Sequence, residues 1–268
     1  MNGTILSLTT IPPRFGFISR TLTSILNQSL PFDQIRLYIP RKYRRFPDWN
    51  GILPNVPKGV EIYRSDLDYG PATKILPAAR DLRGKNVDIL FCDDDQFYGR
   101  DWHRTLKQAA LEHPGTCIVA LGANFDDINI RRLIKDRNPR GQRLPKDTLY
   151  KLKRILSLGW FRPALNIKAG YIDYFHGIGG VLIKPEWLCD DAYNIPDIIW
   201  TVDDIWLSGH FELIGIPIWI CEGNNSSHTR ARRFNPLRKY QVSSLDSNAA
   251  KEVAIAYFRE RYGIWNTS

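Results

Sequence analysis

The chain has no run of about 18 consecutive apolar residues, so nothing in it is suited to cross a bilayer as a helix. Its first eight residues lack the charged-then-apolar signature of a secretory leader, which makes a cytoplasmic location the expectation. Cysteine is scarce. Cys92, Cys117, Cys189 and Cys221 are widely spaced, which excludes a disulfide framework and a cysteine-based zinc pattern. Three of them sit in apolar strand-like runs, where a thiol behaves as a small hydrophobe. Internal repeats and low-complexity tracts are missing. So is a phosphate-cradling Walker loop, because the glycine run at 175–180 is not followed by Lys-Ser or Lys-Thr.

What is present is basic charge. Lys and Arg number 37 against 28 Asp and Glu, a net +9 in 268 residues, a field that attracts phosphate-bearing ligands, nucleic acid or an anionic surface. Residues 131–154 hold ten basic residues against Asp136 and Asp147, a net +8 in that segment. With 43% hydrophobic residues the chain can build one large core, and a single domain is expected over 1–268.

The order of segments is that of an open α/β sheet. Residues 4–10 (TILSLTT) form a β-favouring run closed by Ile11-Pro12-Pro13, and 15–26 carry helical spacing at Phe17, Ile18, Leu22, Ile25 and Leu26. Strands are predicted at 34–40 and 60–64, and a helix from Ala72 with Pro71 in its first turn. Residues 87–92 (VDILFC) read as a strand buried on both faces. A helix over 101–113 and a strand over 116–122 continue the alternation. Beyond the basic segment come a strand at 177–183, a helix at 203–213, a strand at 216–221 and a terminal helix at 249–262. Ligands of such sheets sit at the carboxyl ends of the strands, where VDILFC delivers Asp93, Asp94 and Asp95.

Three successive carboxylates suit a hard divalent cation, which takes one or two of them plus the phosphates of a substrate. In an extended segment Asp93 and Asp95 project to one face and Asp94 to the other. Crowding them at a strand end is costly unless a cation is present. The alternative is a polar strand exit with helix-capping aspartates. A second acidic pair, Asp203 and Asp204 in TVDDIW, opens a helix, where unpaired N–H groups and the helix dipole favour carboxylates. The same pair can accept the proton of an attacking hydroxyl. FHGIGG at 175–180 permits close backbone approach to a ligand, or a tight bend.

SLTTIPPR (7–14), TLTSILNQ (21–28), DYGPATK (68–74) and FCDDD (91–95) together resemble the donor half of bacterial- or viral-type, GT2-like glycosyltransferases of the GT-A fold. The resemblance implies a GT-A type open, mixed, mostly parallel sheet flanked by helices, with a Rossmann-like nucleotide-binding half and an acceptor half. It divides the chain into a donor half at 1–125, a basic insertion at 126–170, an acceptor and catalytic half at 171–245 and a C-terminal helix at 246–268. It further implies transfer of a sugar from a UDP- or GDP-linked donor to an acceptor hydroxyl with inversion, in glycan or polysaccharide biosynthesis. Asp95 falls on the metal and Asp93 on donor and metal, with Asp94 beside them. Asp68 and Lys74 fall near the donor base, ribose or phosphate, and Gly179 and Gly180 along donor sugar and acceptor. Asp204 matches the general base and Asp203 its acceptor-binding neighbour, with the two roles exchangeable because the first position is Asp where Glu is frequent. His228 matches a histidine that completes the metal site and favours Mn²⁺ over Mg²⁺, or else it is a surface histidine. Arg230, with Arg232 and Arg233, is placed to neutralise a departing diphosphate, or forms a solvated loop. Trp160, Trp200 and Trp206 offer sugar-stacking faces or simply pack.

The acceptor implied is a glycan or a lipid-linked hydroxyl. The 131–154 segment would grip an anionic acceptor, rest peripherally on a membrane, or stand as a solvated insertion. A haloacid-dehalogenase-type phosphohydrolase would carry its acidic motif on the first strand, followed by Thr or Val, whereas here it begins at residue 93 and continues Gln96-Phe97. A sugar nucleotidyltransferase would need a glycine-rich N-terminal loop, and SLTTIPPR has no glycine. A non-enzymatic nucleic-acid binder would explain the charge but leave both carboxylate sites without purpose.

Overall fold

The computed structural model describes residues 2–125, 137–144, 148–157, 166–223, 227–228 and 247–266. In chain order its strands begin with β1 (Gly3–Thr9), β2 (Gln34–Pro40), β3 (Val60–Ser65), β4 (Val87–Cys92), β5 (Gln96–Phe97), β6 (Cys117–Val119) and β7 (Gly122–Ala123). They continue with β8 (Gln142–Arg143), β9 (Asn166–Lys168), β10 (Gly170–Ile172), β11 (Tyr174–Phe175), β12 (Val181–Ile183), β13 (Ile218–Ile220) and β14 (Ser227–His228). The helices are α1 (Ser19–Leu26), α2 (Leu76–Leu82), α3 (Trp102–Glu112), α4 (Thr148–Leu156), α5 (Asp203–Leu213) and α6 (Ser247–Tyr262).

Eight strands form one sheet in the order β10-β13-β6-β12-β4-β1-β2-β3. β4, β1, β2 and β3 pair in parallel, as do β6 and β13, while β12 runs against both its neighbours and β10 against β13. β12 belongs to the later part of the chain yet lies between β4 and β6, so early and late segments share one sheet. Alternation along each strand builds two cores. Ile89 and Phe91 of β4 join Val119, Val181, Trp206 and Phe258 on one face, while Leu90 and Cys92 join Leu6, Leu8, Leu22 and Ile118 on the other. The first layer is closed by α2, α5 and α6, the second by α1 and α3. Among the described residues no helix is long and apolar enough to cross a membrane.

Three local expectations are corrected. The helix expected from Ala72 is a 3-10 turn over Gly70–Lys74 followed by α2 from Leu76. Pro77 has no N–H to donate to Thr73, so a helix continuous through it would lose that bond and clash with the Thr73 carbonyl, whereas in the first turn of α2 that N–H is not needed. Residues 15–26 are helical only from Ser19, because Pro12-Pro13 sets a 3-10 turn over Pro12–Arg14 with i to i+3 bonds into Phe15 and Phe17. The strand expected from Gly177 begins at Val181, since Gly177–Gly179 coil into a 3-10 turn and Gly180 has φ +96°.

Candidate active site

β1 and β4 are parallel neighbours, and both end at the same edge of the sheet. Past β1, Thr10 to Arg14 fold over that edge, and past β4 the three aspartates turn toward β5. A cavity of about 310 Å³ opens there, lined by Thr10, Arg14, Tyr43, Phe46, Asp68, Lys74, Asp93, Asp94, Asp95, Ile178 and Trp200 among others.

The triplet does not alternate as an extended segment would. Asp94 and Asp95 sit in a turn and share one cation: Arg14 Nη1 lies 2.5 Å from Asp94 Oδ1 and 3.5 Å from Asp95 Oδ2. Asp94 Oδ2 accepts from Thr10 Oγ1 at 2.5 Å, and its backbone oxygen accepts from Thr21 Oγ1 at 2.8 Å. Asp94 is therefore an inward brace that ties the TTIPPR turn to the end of β4. Burial, opposed by Arg14, pushes its carboxyl up to about 6. Asp95 is also buried, its Oδ1 accepting from Gln96 Nε2 at 2.8 Å. Asp93 is the most open of the three, with its side chain 32% exposed, and its Oδ1 accepts from Lys74 Nζ at 2.8 Å.

Lys74 closes the 3-10 turn after Gly70, which is pinned by the bond from Ser7 Oγ to the Lys74 carbonyl at 2.5 Å. Its ammonium is buried between two acidic groups, 2.8 Å from Asp93 and 2.9 Å from Asp203 Oδ2. Desolvation alone would lower its pKa, but the carboxylates of Asp203, Asp93 and Asp204 hold it well above the ordinary lysine value. Lys74 thus joins the acidic triplet to the pair that opens α5.

That pair is asymmetric. Asp203 is buried, and its desolvation, opposed chiefly by Lys74, raises it to about 7. Asp204 also feels desolvation, but His176 and Lys74 outweigh it and the Gly177 N–H adds to them, so its carboxyl falls below the ordinary aspartate value. Its Oδ1 accepts from the Gly177 N–H at 2.9 Å, and its Oδ2 lies 3.6 Å from His176 Nδ1. Asp204 flanks the cavity wall, across Gly177 and Lys74 from the triplet, rather than lining it.

Several residues singled out in the sequence take different places. Asp68 lines the cavity, but both its oxygens accept backbone N–H groups, from Arg44 at 2.7 Å and Gly70 at 2.8 Å, so it fixes the turn below Trp200. Gly179 and Gly180 are packing positions rather than cavity lining. A Cβ on Gly179 would lie 2.6 Å from Leu121 Cβ, and one on Gly180 2.2 Å from the Trp102 ring. Of this run it is Gly177 that meets the charged groups, since a Cβ there would fall 2.5 Å from Lys74 Nζ and 3.1 Å from Asp204 Oδ1. Trp200 lines the cavity against Gly70, whereas Trp206 is core, its Nε1 donating to the Ala192 carbonyl at 2.8 Å. The backbone of His228 pairs with Gln96 across β14 and β5, one residue from Asp95. Arg230, Arg232, Arg233, Trp160, residues 131–136 and residues 145–147 lie outside the described residues, as does the side chain of His228.

Arg14, Thr10 and His176 belong to this constellation without having been assigned a role from sequence, whereas Gly177 belongs to the glycine run at 175–180 read there as approaching a ligand. For Arg14 the signal was its place at the end of TTIPPR, but nothing local says that a lone arginine eighty residues upstream meets Asp94. Among the described residues no three His, Cys, Asp or Glu side chains are grouped to hold a metal. Two carboxylates with room for ligand phosphates is nevertheless the donor set a hard cation accepts. Five aspartates here face the buried Lys74 and the half-buried Arg14, and leave an excess of negative charge that fits a cation.

A solved structure described as GalNAc-T7 with UDP, GalNAc and Mn²⁺ matches the chain at TM-score 0.55 and 14% identity, covering 97% of this chain and 48% of that one. The chain thus spans about half the length of that protein. Two solved structures of S. aureus TarS 1-349, one in complex with UDP, match at TM-score 0.45 and 12% identity over 85% of this chain, and over 60% and 59% of theirs. No family model matches the chain, and no curated protein matches it. The first likeness shows the fold: a mixed, mostly parallel GT-A sheet flanked by helices.

Proposed function

We propose that this GT-A chain is a metal-dependent glycosyltransferase that moves a sugar, with inversion, from a UDP- or GDP-linked donor to a hydroxyl of a glycan or lipid-linked acceptor. The single observation that carries the reading is the Lys74 bridge, which brings the Asp93–Asp95 cluster and the Asp203–Asp204 pair together beside one cavity at the strand ends. The solved GalNAc-T7 structure holds UDP, GalNAc and Mn²⁺ on the same fold, which supports a nucleotide-sugar donor and Mn²⁺ or Mg²⁺ here.

Asp95 and Asp93 would hold the cation, with His228 and the donor phosphates completing its shell, and it would supply Lewis-acid stabilisation of the leaving diphosphate. The protein's own groups do the rest. Arg14 and Thr10 fix Asp94, so that the turn carrying Asp95 cannot swing away. Trp200, Tyr43 and Phe46 provide flat walls for the nucleoside, and Asp68 holds the turn beneath them. Asp204 stays ionised beside the Gly177 N–H and His176, and is the carboxylate that accepts the acceptor's proton as the hydroxyl attacks. Asp203 is the more basic of the two, but it is buried against Lys74 and sets that lysine in place.

The test is a panel of nucleotide sugars scored for Mn²⁺-dependent thermal stabilisation and for donor hydrolysis. At least one donor should stabilise the chain only with metal present and should be hydrolysed slowly without an acceptor. A panel in which no nucleotide sugar shifts the transition removes the reading.

A further inference from the structure

Each carboxylate assigned to the cation already answers to a positive side chain of the protein. Asp93 Oδ1 accepts from Lys74 Nζ at 2.8 Å, and Asp95 Oδ2 lies 3.5 Å from Arg14 Nη1. The other acids are taken up in turn: Asp94 by Arg14 and Thr10, Asp203 by Lys74 at 2.9 Å, and Asp204 by the Gly177 N–H. What the cavity offers a dication is therefore Asp93 Oδ2, which accepts no hydrogen bond from the described residues, and the share of Asp95 left by Arg14 and Gln96.

Lys74 has little room to step aside. Its side chain is 4% exposed, and its carbonyl is pinned by Ser7 Oγ. The Gly177 backbone closes over the ammonium, which also lies 6.0 Å from the centre of the Phe91 ring. An ammonium held in this way repels a dication that shares Asp93 with it, and burial leaves little water to screen the repulsion. A nucleoside diphosphate reverses the balance, because its phosphates bring negative charge to ammonium and dication alike. We propose that Lys74 is a resident counter-cation that keeps the dication weakly bound until the donor's diphosphate arrives, so that metal and nucleotide bind as one cooperative unit. The inference deepens the reading of this cavity as a metal and nucleotide-sugar site, and it rests on that reading. By linkage, the nucleotide must then depend on the metal as strongly as the metal depends on the nucleotide.

The experiment titrates Mn²⁺ into the full chain without nucleotide, read by the electron paramagnetic resonance signal of free Mn²⁺, and then titrates UDP and GDP by calorimetry with and without Mn²⁺. In the wild type, one of the nucleotides should bind about tenfold or more tightly when Mn²⁺ is present. Lys74→Met/Asp203→Asn removes both members of the buried pair, which costs the fold less than removing one. That variant should bind Mn²⁺ without nucleotide about fivefold or more tightly than the wild type, and the effect of Mn²⁺ on the nucleotide should shrink by the same factor. If it does not fold, Lys74→Gln, which keeps a donor but not the charge, takes its place with the same direction of change. Lys85→Gln removes an equal charge from the exposed turn before β4 and should leave Mn²⁺ affinity where it was. Nucleotide affinity that is the same with and without Mn²⁺ in the wild type overturns the proposal. So does a nucleotide-free Mn²⁺ affinity that loss of Lys74 leaves unchanged, or that Lys85→Gln raises as much. In those cases Mn²⁺ and nucleotide still bind and the reading of the site stands, whereas a chain that takes up neither, as wild type or variant, removes the reading and the proposal together.

Discussion

The ammonium of Lys74 lies 2.9 Å from the carboxylate of Asp203, and the same nitrogen lies 2.8 Å from Asp93, so one buried cation serves two acidic groups about a hundred residues apart in sequence. Replacing it with methionine leaves Asp203 buried without its partner. Loss of one member of a buried ion pair costs about 3–5 kcal/mol. Lys74→Met should show such a loss in urea unfolding, and adding Asp203→Asn should recover part of it. A single-variant cost under about 1 kcal/mol would mean that the bridge is not held in solution.

The asymmetry of the acidic pair has a kinetic consequence. Asp204→Asn should bind donor normally yet turn over about 10²–10⁴-fold more slowly, the usual contribution of a positioned base. Because Asp204 sits below the ordinary aspartate value, it remains ionised through the mildly acidic range. Removing His176 withdraws the largest of the lowering influences, so His176→Gln should move the acid limb of kcat upward. An unmoved limb would detach His176 from Asp204.

At the triplet the expected outcomes diverge. Asp95→Ala should abolish the Mn²⁺-dependent thermal shift with donor while leaving the ligand-free transition nearly unchanged. Asp94→Ala should lower the ligand-free transition itself, since Arg14 and Thr10 lose the carboxylate they hold at 2.5 Å. Equal behaviour of the two variants would contradict the division between ligand and brace.

Two glycine substitutions separate site from core. Gly177→Ala introduces a Cβ 2.5 Å from Lys74 Nζ, and the buried lysine can yield only at the expense of its bridge, so activity should fall together with part of the stability that the bridge supplies. Gly209→Ala drives a Cβ to 2.3 Å from the Phe258 ring, where α5 meets α6, and overpacking of that kind costs about 1–3 kcal/mol. Unfolding midpoints together with donor-hydrolysis rates distinguish the two.

Acid stability should report on His210, which is buried among Trp206, Phe258 and Tyr262 and lowered by desolvation to about 4. The unfolded chain takes up a proton near 6.5, while the folded chain does so only near 4. Stability is therefore fully present above about pH 6.5 and declines as pH falls toward 4, by about 3 kcal/mol in all. His103, also lowered by burial, acts in the same direction. His210→Phe should flatten this window in pH-dependent denaturation, and an unchanged slope would place the acid sensitivity elsewhere.

The extent of the apolar runs and the turn residues that bound them were enough to recover β1, β2, β4 and α5 nearly to the residue, because each is buried on nearly every side and the length of such a run belongs to the local chain. The break at Pro77 is legible too, in the N–H that proline lacks. The antiparallel insertion of β12 between β4 and β6 was not, since a strand's pairing partner leaves no mark on its own three residues.

Sequence by itself determined that acidic residues would stand at the end of a buried central strand and at the start of a late helix, because strand burial and helix capping are local properties. Tertiary structure alone decided that Arg14 would hold Asp94, that Lys74 would bridge Asp93 to Asp203, and that Gly177 rather than Gly179 or Gly180 would lie against the acids. These are contacts between groups far apart in the chain, and their strength comes from being removed together from water, a condition that exists only once the sheet has closed over them.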